Sequence, residues 1–226
     1  MKIRHSEIQA CEVRIPRGKI ELTGELKIPT GATGLVLFAH GSGSSRHSPR
    51  NQSVAGALRE RGLGTLLFDL LTREEEQLEH DTRHLRFDIP MLAERLVTAT
   101  KWVSEQEVAR DLPLGYFGAS TGAAAALVAT AELGDKISAV VSRGGRPDLA
   151  DEALPKVKAP TLLIVGALDE AVIELNEEAR EQMKCKKLLT IIPGASHLFE
   201  EPGTLEKVSQ LAAEWFLKHL QPARTH

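Results

Sequence analysis

Ser120 lies in the segment GASTG, between Gly118 and Gly122, where a short apolar run meets an alanine-rich segment. The preceding run LGYF is typical of a buried strand, and residues 121–133 have the composition of a helix. A strand-to-helix turn this sharp leaves room for little beyond glycine two residues before and after its apex. The spacing therefore predicts a strained turn that exposes the Ser120 hydroxyl, which could act as a nucleophile.

A simpler interpretation of this segment is that Ser120 caps the helix. Serine is a preferred residue at that position, and the two glycines would then only ease the turn. With 18 glycines in 226 residues, the five-residue pattern alone is moderately informative. The choice between the two interpretations therefore depends on what else the chain provides.

An acid and a histidine follow the serine in the order that serine catalysis requires. Asp169 follows the apolar run PTLLIVG, and His197 follows the run KLLTIIPG. A serine hydroxyl is a weak nucleophile, so it needs a base beside it and a third group that orients the base. Taken alone, Asp169 could be a helix cap and His197 an ordinary loop residue. Together with Ser120, they predict a catalytic triad in which His197 is the base and Asp169 the acid.

Two backbone N–H groups are candidates for stabilising a tetrahedral oxyanion. One belongs to Thr121, which follows the serine at the start of the helix. The other is expected in GSGSSRHS after the run GLVLFAH, where Gly41 and Gly43 allow a tight turn and make Ser42 the candidate. A phosphate-binding loop is the competing interpretation, but neither G-x-x-x-x-G-K-[ST] nor G-x-G-x-x-G occurs in this segment.

The elements that must position these residues alternate along the chain. CEVRI and KIELTGELKIP alternate apolar and polar residues around a turn at 16–19, which predicts an antiparallel hairpin. Six later runs suit strands buried on both faces: GLVLFAH, GTLLFDL, PLGYFGA, KISAVVS, PTLLIVGA and KLLTIIPGA. Helical spacing is found over 51–61, 87–105, 121–133, 172–183 and 204–220, and the charged segment 72–86 is expected to be a solvated loop with a short helix. The pattern predicts an α/β fold with a mostly parallel sheet and helices on both faces.

Size, charge and cysteine content limit the function classes. A chain of 226 residues is expected to form one domain over 1–226, and its formal charge of -3 provides no basic field for nucleic acid or an anionic membrane. The charged N-terminus lacks a secretory signal and no apolar run is long enough to span a bilayer, so a cytoplasmic location is expected. Cys11 and Cys185 are expected to be buried free thiols rather than a disulfide or a zinc site.

Four motifs resemble those of a known family. FAHGSGSS, GYFGASTG, GALDE and GASHLF are similar to the α/β-hydrolase fold, and the compact chain resembles its dienelactone hydrolase-like branch over about residues 19–220. The resemblance implies hydrolysis of small carboxylic esters or lactones, without a metal or organic cofactor. It implies nucleophile Ser120, acid Asp169, base His197 and oxyanion donors Ser42 and Thr121.

The chain departs from the founding dienelactone hydrolases at the nucleophile, where they carry cysteine and this chain has Ser120. Ester hydrolysis and lactone opening therefore both stay open. The connection from AVVSRGG to PTLLIVG is short, where many lipases and epoxide hydrolases insert a helical cap. No cap domain is expected, which implies an open pocket for small or accessible substrates.

Three arginines are candidates for substrate binding. Arg143 and Arg146 flank two glycines after the run AVVS, and Arg86 ends the charged segment. The resemblance implies substrates that carry a carboxylate, which a guanidinium can bind through two hydrogen bonds. Alternatively, these arginines pair with nearby acids, which are Asp148, Asp151 and Glu152, and hold their loop in place.

Two further function classes use the same features. An acyltransferase or a peptidase would employ the same triad with a different pocket, and a non-catalytic binding protein could have the same fold. The sequence does not predict the oligomeric state.

Overall fold

The computed structural model describes residues 8–82 and 84–220. The prediction about an N-terminal signal concerns residues outside this part of the chain. The strands are β1 Ile8–Arg17, β2 Ile20–Pro29, β3 Leu35–Ala39, β4 Gly64–Phe68, β5 Leu114–Ala119, β6 Ile137–Arg143, β7 Thr161–Gly166 and β8 Lys187–Ile192. The helices are α1 Pro49–Glu60, α2 Arg73–Thr82, α3 Ile89–Ser104, α4 Thr121–Leu133, α5 Glu170–Gln182 and α6 Thr204–His219.

The strands form one eight-stranded sheet in the order β1-β2-β4-β3-β5-β6-β7-β8. β1 and β2 form the expected antiparallel hairpin, and its turn includes Gly18 at φ +58°. β2 pairs with β4 in the antiparallel sense, whereas the strands from β3 to β8 pair in parallel. The predicted mostly parallel sheet with an N-terminal hairpin is confirmed.

Helices cover both faces of this sheet. Leu37 and Tyr116 belong to one buried cluster, with α3 and α4, while Phe38 and Phe117 belong to the other, with α1 and α6. Neighbouring residues of a strand point to opposite faces, so continuous apolar runs are what a sheet covered on both sides requires. No helix in the described part of the chain is long and apolar enough to cross a membrane.

The two irregular segments are short. The charged segment contains α2 and a 3₁₀ turn over Leu85–Phe87, close to the predicted loop with a short helix. The connection from β6 to β7 contains a 3₁₀ segment, Pro147–Lys156, that packs on α4 and α5. The absence of a cap in this connection agrees with the sequence prediction.

Two burial predictions are wrong, and both errors occur at the edges of the sheet. β8 was expected to be buried on both faces, but Leu188 is 49% exposed. Cys11 was expected to be buried and is exposed, while Cys185 is half-buried; both are free thiols. β1 and β8 are the outermost strands and each has one neighbour, so helices cover them less completely than the central strands.

The start of α4 lies against the end of β3. A Cβ atom on Gly122 would lie 2.2 Å from the carbonyl oxygen of Ala39 and 2.5 Å from that of His40. A Cβ atom on Gly118 would lie 2.4 Å from the Cα atom of Ala123. Both glycines are therefore required by close backbone packing around the turn at Ser120.

This packing predicts the effect of a single methyl group. Gly122→Ala should lower the free energy of unfolding by about 3 kcal/mol or more, because rigid backbone atoms occupy the space. Gly56→Ala is the control, since its Cβ would meet only the flexible end of Arg59, at 3.8 Å, within α1. That variant should be more stable by about 0.5–1 kcal/mol. Equal stability of Gly122→Ala and wild type in urea unfolding would contradict the close approach.

Candidate active site

Ser120 occupies a strained turn between β5 and α4. Its backbone has φ 50° and ψ -123°, a region that non-glycine residues rarely adopt. Its N–H donates to the carbonyl of Arg143 at 3.3 Å, and its own carbonyl accepts from the N–H of Arg146 at 3.1 Å. The Ser120 side chain makes no capping hydrogen bond, so the helix-cap interpretation fails.

Asp169 and His197 are joined by a short hydrogen bond. The Nδ1 atom of His197 lies 2.6 Å from the Oδ2 atom of Asp169. Because a carboxylate only accepts hydrogen bonds, Nδ1 carries the proton and Nε2 is left as an acceptor. Asp169 occupies the capping position of α5 but makes no capping bond, so its carboxylate is committed to the histidine.

Close backbone contacts bring these two loops together. A Cβ atom on Gly166, at the end of β7, would lie 2.3 Å from the carbonyl oxygen of Ala195. The N–H of Leu168 donates to the same carbonyl at 2.9 Å. The N–H of Ser196 donates to the Glu201 carboxylate at 3.0 Å. Hydrogen bonding from the Ser196 side chain, and then from its N–H, lowers the pKa of that carboxyl. Asp169 and His197 are thus held by the residues immediately before them.

The loop after β6 contacts both the serine turn and the histidine. Gly144 has φ +50°, and a Cβ atom there would lie 3.5 Å from the Nδ1 and Cε1 atoms of His197. The preceding residue, Arg143, accepts the hydrogen bond from the Ser120 N–H. Ser120 and His197 therefore lie at the same edge of the sheet, on either side of one short segment.

The two oxyanion candidates contact each other. The N–H of Ser42 donates to the Oγ1 atom of Thr121 at 3.0 Å. A Cβ atom on Gly41 would lie 3.0 Å from the Cβ atom of Ser120, so this loop passes directly beside the serine. The structure brings Ser42, Thr121 and Ser120 together, with the Ser42 N–H already engaged by the Thr121 hydroxyl.

His40 holds this loop in place, a role that sequence reasoning missed. Its Nδ1 atom lies 3.0 Å from the Gly41 carbonyl, and the Leu70 N–H donates to its Nε2 atom at 3.0 Å. The ring is therefore neutral, with its proton on Nδ1. Burial lowers the pKa of His40, although the hydrogen bond to Gly41 and the charge of Asp69 act in the opposite direction.

A partly buried ion pair fixes Leu70 from the other side. Arg95 is 2% exposed, and its Nη1 atom donates to the Leu70 carbonyl at 2.5 Å. Its Nη atoms also bind the Glu75 carboxylate at 2.6 and 2.5 Å. Burial alone would raise the pKa of Glu75, but the hydrogen bonds from Arg95 and Thr72 lower it on balance.

A cleft of about 320 Å³ opens beside the oxyanion candidates. Its wall includes Leu70, Leu71 and Leu92 together with the loop at Gly41 to Ser45. Glu76 and Arg86 supply the charged part of the lining. Burial, and then the charge of Asp69, raise the pKa of Glu76.

The three candidate arginines have different environments. Arg86 lines the cleft, and its Nη1 atom would lie 3.8 Å from a Cβ atom on Gly43. Arg146 binds the Asp148 carboxylate through Nε and Nη2 at 2.9 and 2.7 Å, as the loop-holding alternative predicted. Arg143 pairs with no acid in the described part of the chain; it is 7% exposed and lies 5.9 Å from the centre of the Phe199 ring.

Comparison with known proteins identifies the family. A family model described as an alpha/beta hydrolase domain matches residues 32–219. The chain belongs to the α/β-hydrolase family. A dienelactone hydrolase from Anabaena variabilis is 61% identical, with a TM-score of 0.93 over 95% of this chain and 99% of that one. The predicted relationship to dienelactone hydrolases is thus confirmed.

More distant structures share the hydrolase fold. Est1E from Butyrivibrio proteoclasticus is 18% identical, with a TM-score of 0.77 over 92% of this chain and 98% of that one.

Two Mycobacterium tuberculosis proteins, provisionally named phosphoribosyl transferases, are 55% identical over 209 residues. The alignment covers 92% of this chain and 46% of each of them, so the chain spans about half the length of these relatives.

The buried His40 predicts a pH dependence of stability. Its pKa in the folded protein lies below the usual 6.5, so the unfolded chain takes up this proton first as the pH falls. The neutral ring therefore stabilises the fold fully above pH 6.5, and this stabilisation is lost as the pH falls from 6.5 towards the folded pKa. Over that range the free energy of unfolding should decrease by up to about 1.4 kcal/mol per pH unit. When the free energy of unfolding is measured in urea at pH 5 to 7, it should change less with pH in His40→Gln than in wild type. His47→Gln, which changes an exposed histidine, should keep the wild-type slope.

The Glu75–Arg95 pair predicts a large loss of stability when the Glu75 carboxylate is replaced by a neutral amide. Glu75→Gln should lower the free energy of unfolding by about 3 kcal/mol, because it leaves the Arg95 charge buried without its carboxylate. Glu74→Gln removes an exposed charge from the same helix and should change stability by less than about 0.5 kcal/mol. Similar urea midpoints for both variants would show that the pair does not stabilise the cleft wall.

Proposed function

We propose that this protein hydrolyses small carboxylic esters or lactones, with Ser120 as nucleophile, His197 as base and Asp169 as the orienting acid. The main support is the 2.6 Å hydrogen bond from His197 to Asp169, at the sheet edge where Ser120 has a positive φ. This bond leaves Nε2 of His197 able to accept a proton. Hydrolase relatives in the same family support the reaction class.

The reaction proceeds through an acyl-enzyme. His197 removes the proton of the Ser120 hydroxyl as its oxygen attacks the carbonyl carbon, and the carbonyl oxygen becomes an oxyanion. When the tetrahedral intermediate collapses, the imidazolium of His197 protonates the departing alkoxide. Water, deprotonated by His197, then attacks the acyl carbonyl carbon; as this second tetrahedral intermediate collapses, His197 returns the proton to the Ser120 oxygen and the carboxylic acid is released. The charge on Asp169 stabilises the imidazolium in both halves.

The N–H groups of Ser42 and Thr121 are proposed to stabilise the oxyanion. The contact from the Ser42 N–H to the Thr121 hydroxyl supports this role, because it keeps an N–H beside the serine. In the reaction, the substrate oxyanion shares this N–H with the hydroxyl or replaces it as acceptor. The hydrogen bonds of His40 to Gly41 and Leu70 restrict movement of the loop during this exchange.

The acyl group is proposed to occupy the cleft beside this loop. Its leucine side chains suit an apolar part of the substrate, and Arg86 is proposed to contact a polar end. A cleft of about 320 Å³ favours a small substrate. The name of the dienelactone hydrolase relative supports a lactone or ester, whereas the transferase name describes proteins about twice as long as the aligned region.

Acyl transfer, peptide hydrolysis and non-catalytic binding are separable from this proposal by experiment. An acyltransferase would form the same acyl-enzyme but deliver the acyl group to an added alcohol in preference to water. A peptidase would cleave amides at rates comparable with esters. A binding protein would show neither turnover nor acylation of Ser120.

A fluorophosphonate probe tests the nucleophile directly. Wild type should be labelled on Ser120, while Ser120→Ala should be unlabelled and lose at least about 10³-fold in turnover of p-nitrophenyl acetate. Asp169→Asn should also lose about 10³-fold or more, because the histidine tautomer is no longer fixed. Ser53→Ala, an exposed serine of α1, is the matched control and should behave as wild type. Normal turnover by a folded Ser120→Ala would exclude the proposed mechanism.

A further inference from the structure

Asn176, in the middle of α5, is a wholly buried polar residue that takes no part in the proposed reaction. Its Nδ2 atom donates to the Val172 carbonyl at 2.7 Å, one turn earlier in the same helix, and to the Gly145 carbonyl at 3.0 Å. Its Oδ1 atom is buried without a hydrogen-bond partner among the described residues. A buried amide with an unsatisfied oxygen costs folding free energy, so an apolar residue would suit this position better if packing alone mattered.

The segment that Asn176 binds is also packed closely against β6 and α4. A Cβ atom on Gly145 would lie 2.0 Å from the Oγ atom of Ser142, at the end of β6. It would lie 2.6 Å from the Cβ atom of Ala123, in the first turn of α4. The missing side chain thus lets the segment lie between these elements, and the amide of Asn176 attaches its carbonyl to α5.

The same segment contacts two members of the candidate triad. A Cβ atom on Gly144 would lie 3.5 Å from the Nδ1 and Cε1 atoms of His197, and 3.1 Å from the His197 carbonyl oxygen. On the other side of Gly145, the N–H of Arg146 donates to the Ser120 carbonyl at 3.1 Å. A displacement of the segment would therefore change the position of the imidazole relative to the serine turn.

The helix that carries Asn176 also begins at the third member of the candidate triad. Asp169 directly precedes α5, and its carbonyl accepts from the N–H groups of Val172 and Ile173, both at 3.0 Å. Asn176 follows about two helical turns later. One helix therefore fixes the backbone of the acid at its start and the segment beside the histidine through its side-chain amide.

We propose that Asn176 is a positioning residue, whose amide attaches Gly145 to α5 and so sets the approach of His197 to Ser120. Proton transfer from the serine to Nε2 of the histidine requires hydrogen-bond contact, so a small displacement of the imidazole lowers the rate. The effect on the reaction rests on the proposed function, whereas the hold on the His197 ring does not.

Stopped-flow acylation by p-nitrophenyl acetate separates positioning from substrate binding. Asn176→Leu removes the donor and keeps a side chain of similar size. Its rate constant for acylation of Ser120 should fall about tenfold or more, while the half-saturating ester concentration should stay within about twofold, because Asn176 lies outside the acyl cleft. Wild-type acylation by folded Asn176→Leu would overturn the proposal.

Thr130→Val is the matched control for this measurement. Thr130 is also wholly buried, and its hydroxyl donates at 2.7 Å to the Ala126 carbonyl within α4. The variant loses a buried hydrogen bond of the same helical type, without a link to the Gly144–Gly145 segment, and it should acylate as wild type does. An equal loss of acylation in Thr130→Val and Asn176→Leu would make the effect one of general packing and overturn the proposal.

Asn176→Asp tests the donor with the side-chain shape kept, and it is the second variant if the leucine does not fold. A protonated carboxyl donates to the Gly145 carbonyl, whereas an ionised one cannot. The acylation rate of Asn176→Asp relative to wild type should therefore be higher at about pH 6 than at about pH 9, or close to one at both if the carboxyl stays protonated. A ratio as low as that of Asn176→Leu at both pH values would overturn the proposal.

Proton exchange at His197 provides a measurement that needs no turnover. The Nδ1 proton in the 2.6 Å bond to Asp169 should give a low-field NMR signal, and Gly144 packs beside this atom. In Asn176→Leu the proton should exchange with water about tenfold faster or more, while Thr130→Val should keep the wild-type rate. Unchanged exchange in Asn176→Leu would overturn the proposal. If wild type is not acylated, the proposed function fails, while exchange still reports on the hold on His197.

Discussion

The close approach of α4 to the end of β3 is the constraint on which the candidate site depends. The missing side chain of Gly122 lets the start of α4 lie against the carbonyl groups of Ala39 and His40, and that of Gly118 lets the chain turn tightly against Ala123. The same contact gives Ser120 its positive φ and places Thr121 where its hydroxyl accepts from the Ser42 N–H. The nucleophile candidate and both oxyanion candidates are therefore positioned by one packing contact rather than by three independent loops.

The wall of the cleft is held by a continuous set of polar contacts. The Gly41 carbonyl contacts His40, His40 accepts from the Leu70 N–H, and the Leu70 carbonyl accepts from Arg95. His40, Leu70 and Arg95 are buried and Gly41 is half-buried, and these contacts link the strand ends to the loop. This arrangement suits a reaction in which donors must be in place before charge develops on the substrate.

Much of this architecture could be predicted from the sequence because it follows from periodicity and residue order. Asp169 and His197 each follow a buried strand, and parallel strands end at the same sheet edge, so their proximity was foreseeable. The sequence could not distinguish Arg143 from Arg146, since both flank the same glycines near the same acids; only the backbone path gives Asp148 to Arg146. The structural role of His40 and the exposure of β8 depend on contacts with elements distant in sequence, which local patterns do not encode.

The proposed mechanism requires Ser120 to form a covalent acyl intermediate. Rapid acid quench of the protein with p-nitrophenyl acetate, followed by intact mass and peptide analysis, measures this directly. An adduct with the mass of one acetyl group is expected on the peptide that contains Ser120, and it should be absent in Ser120→Ala. Hydrolysis without any adduct, or acetylation of a different residue that tracks turnover, would contradict it.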